Sequence, residues 1–135
     1  MKNTYYFDMD GVITNFHKEP YSYKNAISRE WIANLDPFMD NINLIHELIA
    51  TGNKVYILSK GAKESSALGK LDWLAKYLPE IPREDIIIIV GNGKKIDYIR
   101  EVGILVDDDI KNIRPWAKAG YPTIHLEVKG SRVVL

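Results

Sequence analysis

The sequence predicts an α/β domain, a doubly wound parallel five-stranded sheet with a minimal cap insertion, on three observations. Short apolar runs alternate with amphipathic helical patterns along the chain. The runs are apolar almost throughout, as expected for parallel strands covered on both faces. Polar residues able to do chemistry follow four of the five runs. The runs are Tyr5 to Phe7, Val55 to Leu58, Ile86 to Val90, Ile104 to Val106 and Thr123 to Leu126. Between them, a helix is predicted over about Asp40–Thr51, with Ile42, Ile45, Leu48 and Ile49 on one face and Gly52 as its stop. A second, about Ser65–Leu78, spaces Leu68, Leu71, Leu74 and Leu78 helically and is closed by Pro79. A short helix follows Lys95, and a last one runs from near Asn112 to Gly120, with Pro115 expected in its first turn.

One domain over residues 1–135 suits the length of 135 residues. Within it, residues 15–38 break the βα rhythm. This stretch holds Phe16, His17, Tyr21, Tyr23 and Trp31 and reads as a small cap-like insertion. The tail, Glu127 to Leu135, reads as a hairpin around Lys129-Gly130-Ser131. Hydrophobic residues make up 46% and charged residues 27%, with 18 basic against 18 acidic side chains, so there is no strong electrostatic signal for a nucleic-acid or anionic-membrane partner. With no cysteine, disulfides and thiol chemistry are excluded. The segment Met1 to Thr4 lacks the features of a leader, and the longest apolar run is too short for a membrane span, so a cytoplasmic protein is expected.

In a doubly wound fold the loops after the strands meet at the carboxyl edge of the sheet, where ligands bind. Here those loops carry Asp8-Met9-Asp10-Gly11-Val12, Ser59-Lys60-Gly61, Gly91-Asn92-Gly93-Lys94-Lys95 and Asp107-Asp108-Asp109. Crowded carboxylates repel one another unless a cation sits among them, and an all-oxygen ligand set favours a hard ion such as Mg²⁺. Lysines and a hydroxyl beside that ion suit a phosphoryl group. Two carboxylates on one tight turn can then divide nucleophilic attack from proton transfer.

The Asp8-to-Val12 element, Ser59, Lys95 in Lys95-Ile96-Asp97-Tyr98, and Asp107-Asp108 resemble, in order, the four motifs of the haloacid dehalogenase-like (HAD-like) superfamily, whose fold is Rossmann-like. The resemblance implies a phosphate monoester hydrolase that works through an aspartyl-phosphate. It gives Asp8 as nucleophile, Asp10 as acid and then base, and Ser59 and Lys95 as holders of the phosphoryl oxygens. Magnesium would sit on the Asp8 carboxylate, the Asp10 main-chain carbonyl and Asp108, with Asp107 the alternative ligand and otherwise the support of Lys95. Lys94 is the alternative to Lys95. An aspartate at position 10 favours phosphoryl over dehalogenase chemistry. Within the superfamily the chain looks most like the cytosolic 5′(3′)-deoxyribonucleotidases and their small bacterial and phage relatives. The supporting features are the Phe7-to-Val12 turn, Trp31 before Leu35-Asp36-Pro37-Phe38, and the Lys95-to-Tyr98 stretch. Its insertion of about two dozen residues is shorter than a full nucleotidase cap.

The substrate expected is therefore a small phosphorylated molecule, a nucleoside 5′-monophosphate first. A sugar phosphate, a polynucleotide end or a phosphoprotein is the alternative within the scaffold. A non-catalytic phosphate-binding or regulatory module is the alternative outside it, and a homo-oligomer covering an open sheet edge is compatible with catalysis. Lys60 faces either solvent or the phosphate. Asp109 is read as a helix cap, Gly91-Asn92-Gly93 as a tight turn, His46 as a surface or boundary residue of its helix, and His125 as structural. His17, Tyr21 and Tyr23 are the cap candidates for touching a substrate; the alternatives are a His17 with no such role and tyrosines that pack the cap onto the body, and Trp31 is read as packing.

Overall fold

A computed structural model describes residues 2–135; Met1, the first residue of the predicted domain and of the segment read for a leader, lies outside them. The strands are β1 (Thr4–Phe7), β2 (Lys54–Gly61), β3 (Ile86–Val90), β4 (Ile104–Asp107) and β5 (Thr123–His125). All neighbours run parallel, in the order β3-β2-β1-β4-β5. The chain builds outward on one side of β1 and then returns to build on the other. The switch point therefore falls between β1 and β4, where Phe7 pairs with Val106.

The helices are α1 (Tyr23–Ala26), α2 (Arg29–Ala33), α3 (Met39–Ala50), α4 (Glu64–Tyr77) and α5 (Ile110–Lys118). Strand periodicity divides the core into two layers. Tyr5, Phe7, Val55, Ile57 and Val106 face α3 and α4, through Ile42, Ile45, Trp73 and Leu74. Tyr6, Tyr56, Leu58, Ile87 and Leu105 point the other way and are covered by Ile113 and Trp116 of α5. The sheet is thus covered on both faces, which is why its strands read as continuous apolar runs.

Residues 15–38 form a 3₁₀ turn (Phe16–Lys18) followed by α1 and α2. Hydrogen bonds bind this cap to α4: Ser66 Oγ donates to the Ala26 carbonyl at 2.6 Å, and Trp73 Nε1 donates to the Leu35 carbonyl at 2.9 Å. Contact is close at Gly69, where a Cβ would lie 2.7 Å from the Arg29 carbonyl oxygen.

Four local expectations are corrected. β2 runs on through Ser59 and Lys60 to Gly61 because it keeps pairing with β3, so those residues lie in a strand and not in a loop. The segment after Lys94 is one 3₁₀ turn, Lys95–Tyr98. α5 begins at Ile110 because Asp109 Oδ1 accepts from Lys111 N at 2.9 Å, so Pro115 lies inside the helix and not in its first turn. The proline removes the bond to the Lys111 carbonyl, on an exposed side of the helix. The tail forms no hairpin: after one turn closed by Ser131 N on Val128 O, it lies along α3. Asn41 holds it there, bonding Ser131 O and Val133 N. Among the described residues, no helix is long and apolar enough to cross a membrane.

Candidate active site

The chain leaves β1 at Asp8, whose N–H still bonds the Val106 carbonyl at 2.9 Å. It then hooks back: the Met9 carbonyl accepts from the N–H groups of Val12, Ile13 and Thr14. Gly11 takes φ +82°, and a Cβ there would come within 2.3 Å of Asp108 Oδ2. Only glycine lets this loop pass against the end of β4. The hook sets the two carboxylates in different surroundings. Asp8 Oδ1 accepts from Lys95 Nζ at 2.8 Å. Asp10 accepts from Thr14 Oγ1 at 3.2 Å and from Lys70 Nζ at 3.0 Å.

At the end of β4 the three aspartates separate by role. Asp107 is fully buried, and both its oxygens are engaged: Oδ2 by Lys95 Nζ at 2.7 Å and Asn112 Nδ2 at 3.2 Å, Oδ1 by Asp109 N at 2.9 Å. Asp108 Oδ2 accepts from Lys129 Nζ at 2.9 Å, with His17 Nε2 at 3.9 Å. Asp109 caps α5. Lys95 thus bridges Asp8 and Asp107, while Lys94 is exposed and opens the 3₁₀ turn.

Charge is out of balance here. Burial pushes the Asp8 carboxyl up to about 7; Lys95 pulls it down, and Asp107 and Asp10 add to the rise. Burial and the neighbouring Asp8 also raise Asp108, against the pull of Lys129. Burial opposes charge on Lys95, but Asp8 and Asp107 outweigh it and shift its pKa upward. Carboxylate oxygens of Asp8, Asp107 and Asp108 lie within 4.8 Å of one another. An all-oxygen set with surplus negative charge fits a hard divalent cation. Asp107 has both oxygens hydrogen-bonded, whereas Asp8 and Asp108 each have one oxygen bonded to a lysine and the other without a donor among the described residues.

A cleft of about 180 Å³ opens over this cluster, lined by Asp8, Asp10, His17, Lys60, Lys95, Asp108, Asp109 and Asn112. Lys60 is exposed at its lip. Ser59 is fully buried and does not line the cleft; its Oγ accepts from Lys70 Nζ at 2.7 Å, so it reaches the site through that lysine. Tyr21 and Tyr23 are exposed and stand off the cleft. Trp31 packs edge-on against Phe16 and lines a separate hollow of about 560 Å³ within the cap. His125 bonds the Asp108 carbonyl, and His46 pairs with Glu80.

Three residues of the site escape the motif reading: Lys70, Asn112 and Lys129. Lys70 is 1% exposed and carries a charge on the buried face of α4, between Ser66 and Trp73. A charged residue at helical spacing from a tryptophan, next to a glycine, was the available signal.

The sequence matches the family described as 5′ nucleotidase, deoxy (Pyrimidine), cytosolic type C protein over residues 18–127, from the cap's first turn to just past β5. No curated protein matches it. Among solved structures, a chain of the structure titled "Structure of Pnkp1/Rnl/Hen1 complex" superposes with a TM-score of 0.67 at 16% identity. The superposition covers 92% of this chain and 45% of that one, so the chain spans less than half the length of its structural neighbour. At that identity the likeness establishes the fold alone, a doubly wound Rossmann-type α/β architecture. The family match, over most of the length, shows the family: the chain belongs to the cytosolic type C 5′-nucleotidase family, which is HAD-like.

Proposed function

We propose that the chain is a magnesium-dependent phosphate monoester hydrolase that works through an aspartyl-phosphate on Asp8, with a nucleoside 5′-monophosphate as its first substrate class. The observation that carries this reading is the buried Asp8 carboxylate at the switch point, clamped by Lys95 and facing Asp108, with Asp10 two residues on. Asp8 and Asp108, with the Asp10 main-chain carbonyl, would hold the ion, which supplies positive charge to the phosphoryl oxygens and relieves the carboxylate repulsion.

The chain's own groups supply the rest. Lys95 favours the ionised form of Asp8, against the effect of burial, and aims it. As the Asp8 carboxylate forms its bond to phosphorus, the bond to the leaving oxygen breaks and Asp10 gives that oxygen a proton. Asp10 then takes a proton from water, whose oxygen attacks phosphorus and releases Asp8 and phosphate. Thr14 and Lys70 fix Asp10 for both transfers. Lys60 and Lys95, on the cleft wall, neutralise phosphoryl oxygens, while Ser59 supports Lys70 from behind. His17 is the cap side chain at the cleft, and Tyr21 and Tyr23 have no part in this step.

A second reading, a larger substrate such as a polynucleotide end, is favoured by one observation. Of the described cap residues only His17 lines the cleft, and Tyr21 and Tyr23 are exposed away from it. Phosphate release from nucleoside monophosphates, sugar phosphates, an aryl phosphate and a 3′- or 5′-phosphorylated oligonucleotide, with and without Mg²⁺, tests both. Magnesium-dependent turnover led by the mononucleotides is expected. Preference for the oligonucleotide selects the second reading, and no release from any substrate refutes the hydrolase.

A further inference from the structure

The C-terminal segment is bound to the catalytic edge more firmly than an irregular tail requires. Leu126 N bonds the Asp107 carbonyl at 2.9 Å, and Gly130 N bonds the Gly11 carbonyl at 2.8 Å, so residues on both sides of Lys129 are tied to the two loops of the site. Gly130 takes φ +76°, and a Cβ there would be 2.5 Å from the Phe38 ring. Farther on, the 1%-exposed Asn41 joins the tail to the first loop: its Nδ2 donates to Val12 O and Ser131 O, and its Oδ1 accepts from Val133 N. This framework sets the Lys129 ammonium 2.9 Å from Asp108 Oδ2, whose side chain is 5% exposed.

We propose that Lys129 is a positioning residue of the active centre, a resident cation that holds the Asp108 carboxylate and sets how tightly the site takes up a divalent ion. The proposal rests on the reading of Asp8 and Asp108 as ligands of that ion. An ordinary surface ion pair contributes little, because both partners are solvated and mobile. Here the carboxylate is buried and the lysine backbone is fixed on both sides. In the metal-free protein the ammonium offsets the repulsion between Asp108 and Asp8. When a divalent ion arrives, the same ammonium opposes it. An ion bound to either Asp108 oxygen lies within roughly 7 Å of Nζ, and even with water-like screening the repulsion across that distance corresponds to about a five- to tenfold change in dissociation constant. The lysine thus trades metal affinity for an ordered ligand.

The test is calorimetric titration of the full chain with Mg²⁺, and separately Mn²⁺, at a pH high enough that protons do not compete. Wild type is compared with Lys129→Met, Lys129→Arg and Asp108→Asn. Lys129→Met should bind the ion about five- to tenfold more tightly, and Lys129→Arg within about twofold of wild type. Asp108→Asn should bind it at least about tenfold more weakly, having lost a ligand. Circular dichroism checks the fold, and Lys129→Gln replaces Lys129→Met if that variant does not fold. Unchanged or weaker binding by the neutral variant, with Asp108→Asn still impaired, overturns the role of Lys129 and leaves the metal reading standing. Absence of binding to wild type overturns both.

Discussion

Lys70→Met removes the buried ammonium that links Asp10 to Ser59 and keeps most of the side chain's volume. Two bonds vanish, Nζ to Asp10 Oδ2 at 3.0 Å and Nζ to Ser59 Oγ at 2.7 Å. Asp10 retains only Thr14 Oγ1 as a side-chain donor, and Ser59 is left without one. An orphaned buried acceptor costs about 1–3 kcal/mol, offset in part because an ammonium no longer has to be buried. The folded protein should therefore survive with a modest fall in melting temperature. The effect on rate should be larger and selective. A well-placed general acid contributes about 10²–10⁴-fold, so an unanchored Asp10 should lower kcat about 100-fold for a nucleoside monophosphate, whose leaving alkoxide needs the proton. For nitrophenyl phosphate, whose leaving group departs without one, the loss should stay below about tenfold. Steady-state kinetics on both substrates, with KM read separately, is the assay. Equal losses on the two substrates, or a change confined to KM, would refute the claim that Lys70 acts through Asp10.

Three further outcomes follow from the same contacts. Asp8 is raised to about 7 from a carboxylate's ordinary 3.8, so the metal-free native state binds a proton that the unfolded chain has released. Its stabilising contribution is full below about pH 4 and lost as pH rises through about 7; urea denaturation should show that decline without Mg²⁺ and a flatter profile with it. Asn41→Ala removes three hydrogen bonds made from a fully enclosed side chain, at an expected cost of about 2–4 kcal/mol in equilibrium unfolding; a loss under about 0.5 kcal/mol would mean that the tail is not anchored there. Gly11→Ala forces a Cβ against Asp108 at φ +82°, and should cost at least about 1 kcal/mol and most of the activity, both read on purified protein by thermal melts and phosphate release.

Much of this architecture was legible because a parallel sheet covered on both faces writes its strands as continuous apolar runs, and because its loops emerge at one edge. Asp8, Asp10, Lys95 and Asp107 to Asp109 could be placed from their positions after such runs. What stayed hidden depends on tertiary contact. The leucine spacing of α4 pointed to Leu68 and Leu71, yet its buried face is Ser66, Gly69, Lys70, Trp73 and Leu74, because α2 packs against Gly69. Lys70, on that buried face, was therefore not singled out from the sequence. Ser59 read as a loop residue because nothing local shows how far β2 goes on pairing with β3. The aromatic cap residues could not be sorted by pattern alone. Phe16 and Trp31 pack on each other, while Tyr21 and Tyr23 remain exposed. The tail's course depends on Asn41, a polar residue with no apolar pattern to mark it as buried.

Fluorine NMR with beryllium fluoride tests the central claim, that Asp8 accepts the phosphoryl group, without requiring the natural substrate. Beryllium fluoride on a carboxylate mimics an aspartyl-phosphate. Wild type in the presence of Mg²⁺ should show a bound resonance, and Asp8→Asn should show none while keeping its fold. No bound signal in wild type, or the same signal in Asp8→Asn, would contradict the assignment of Asp8 as the nucleophile.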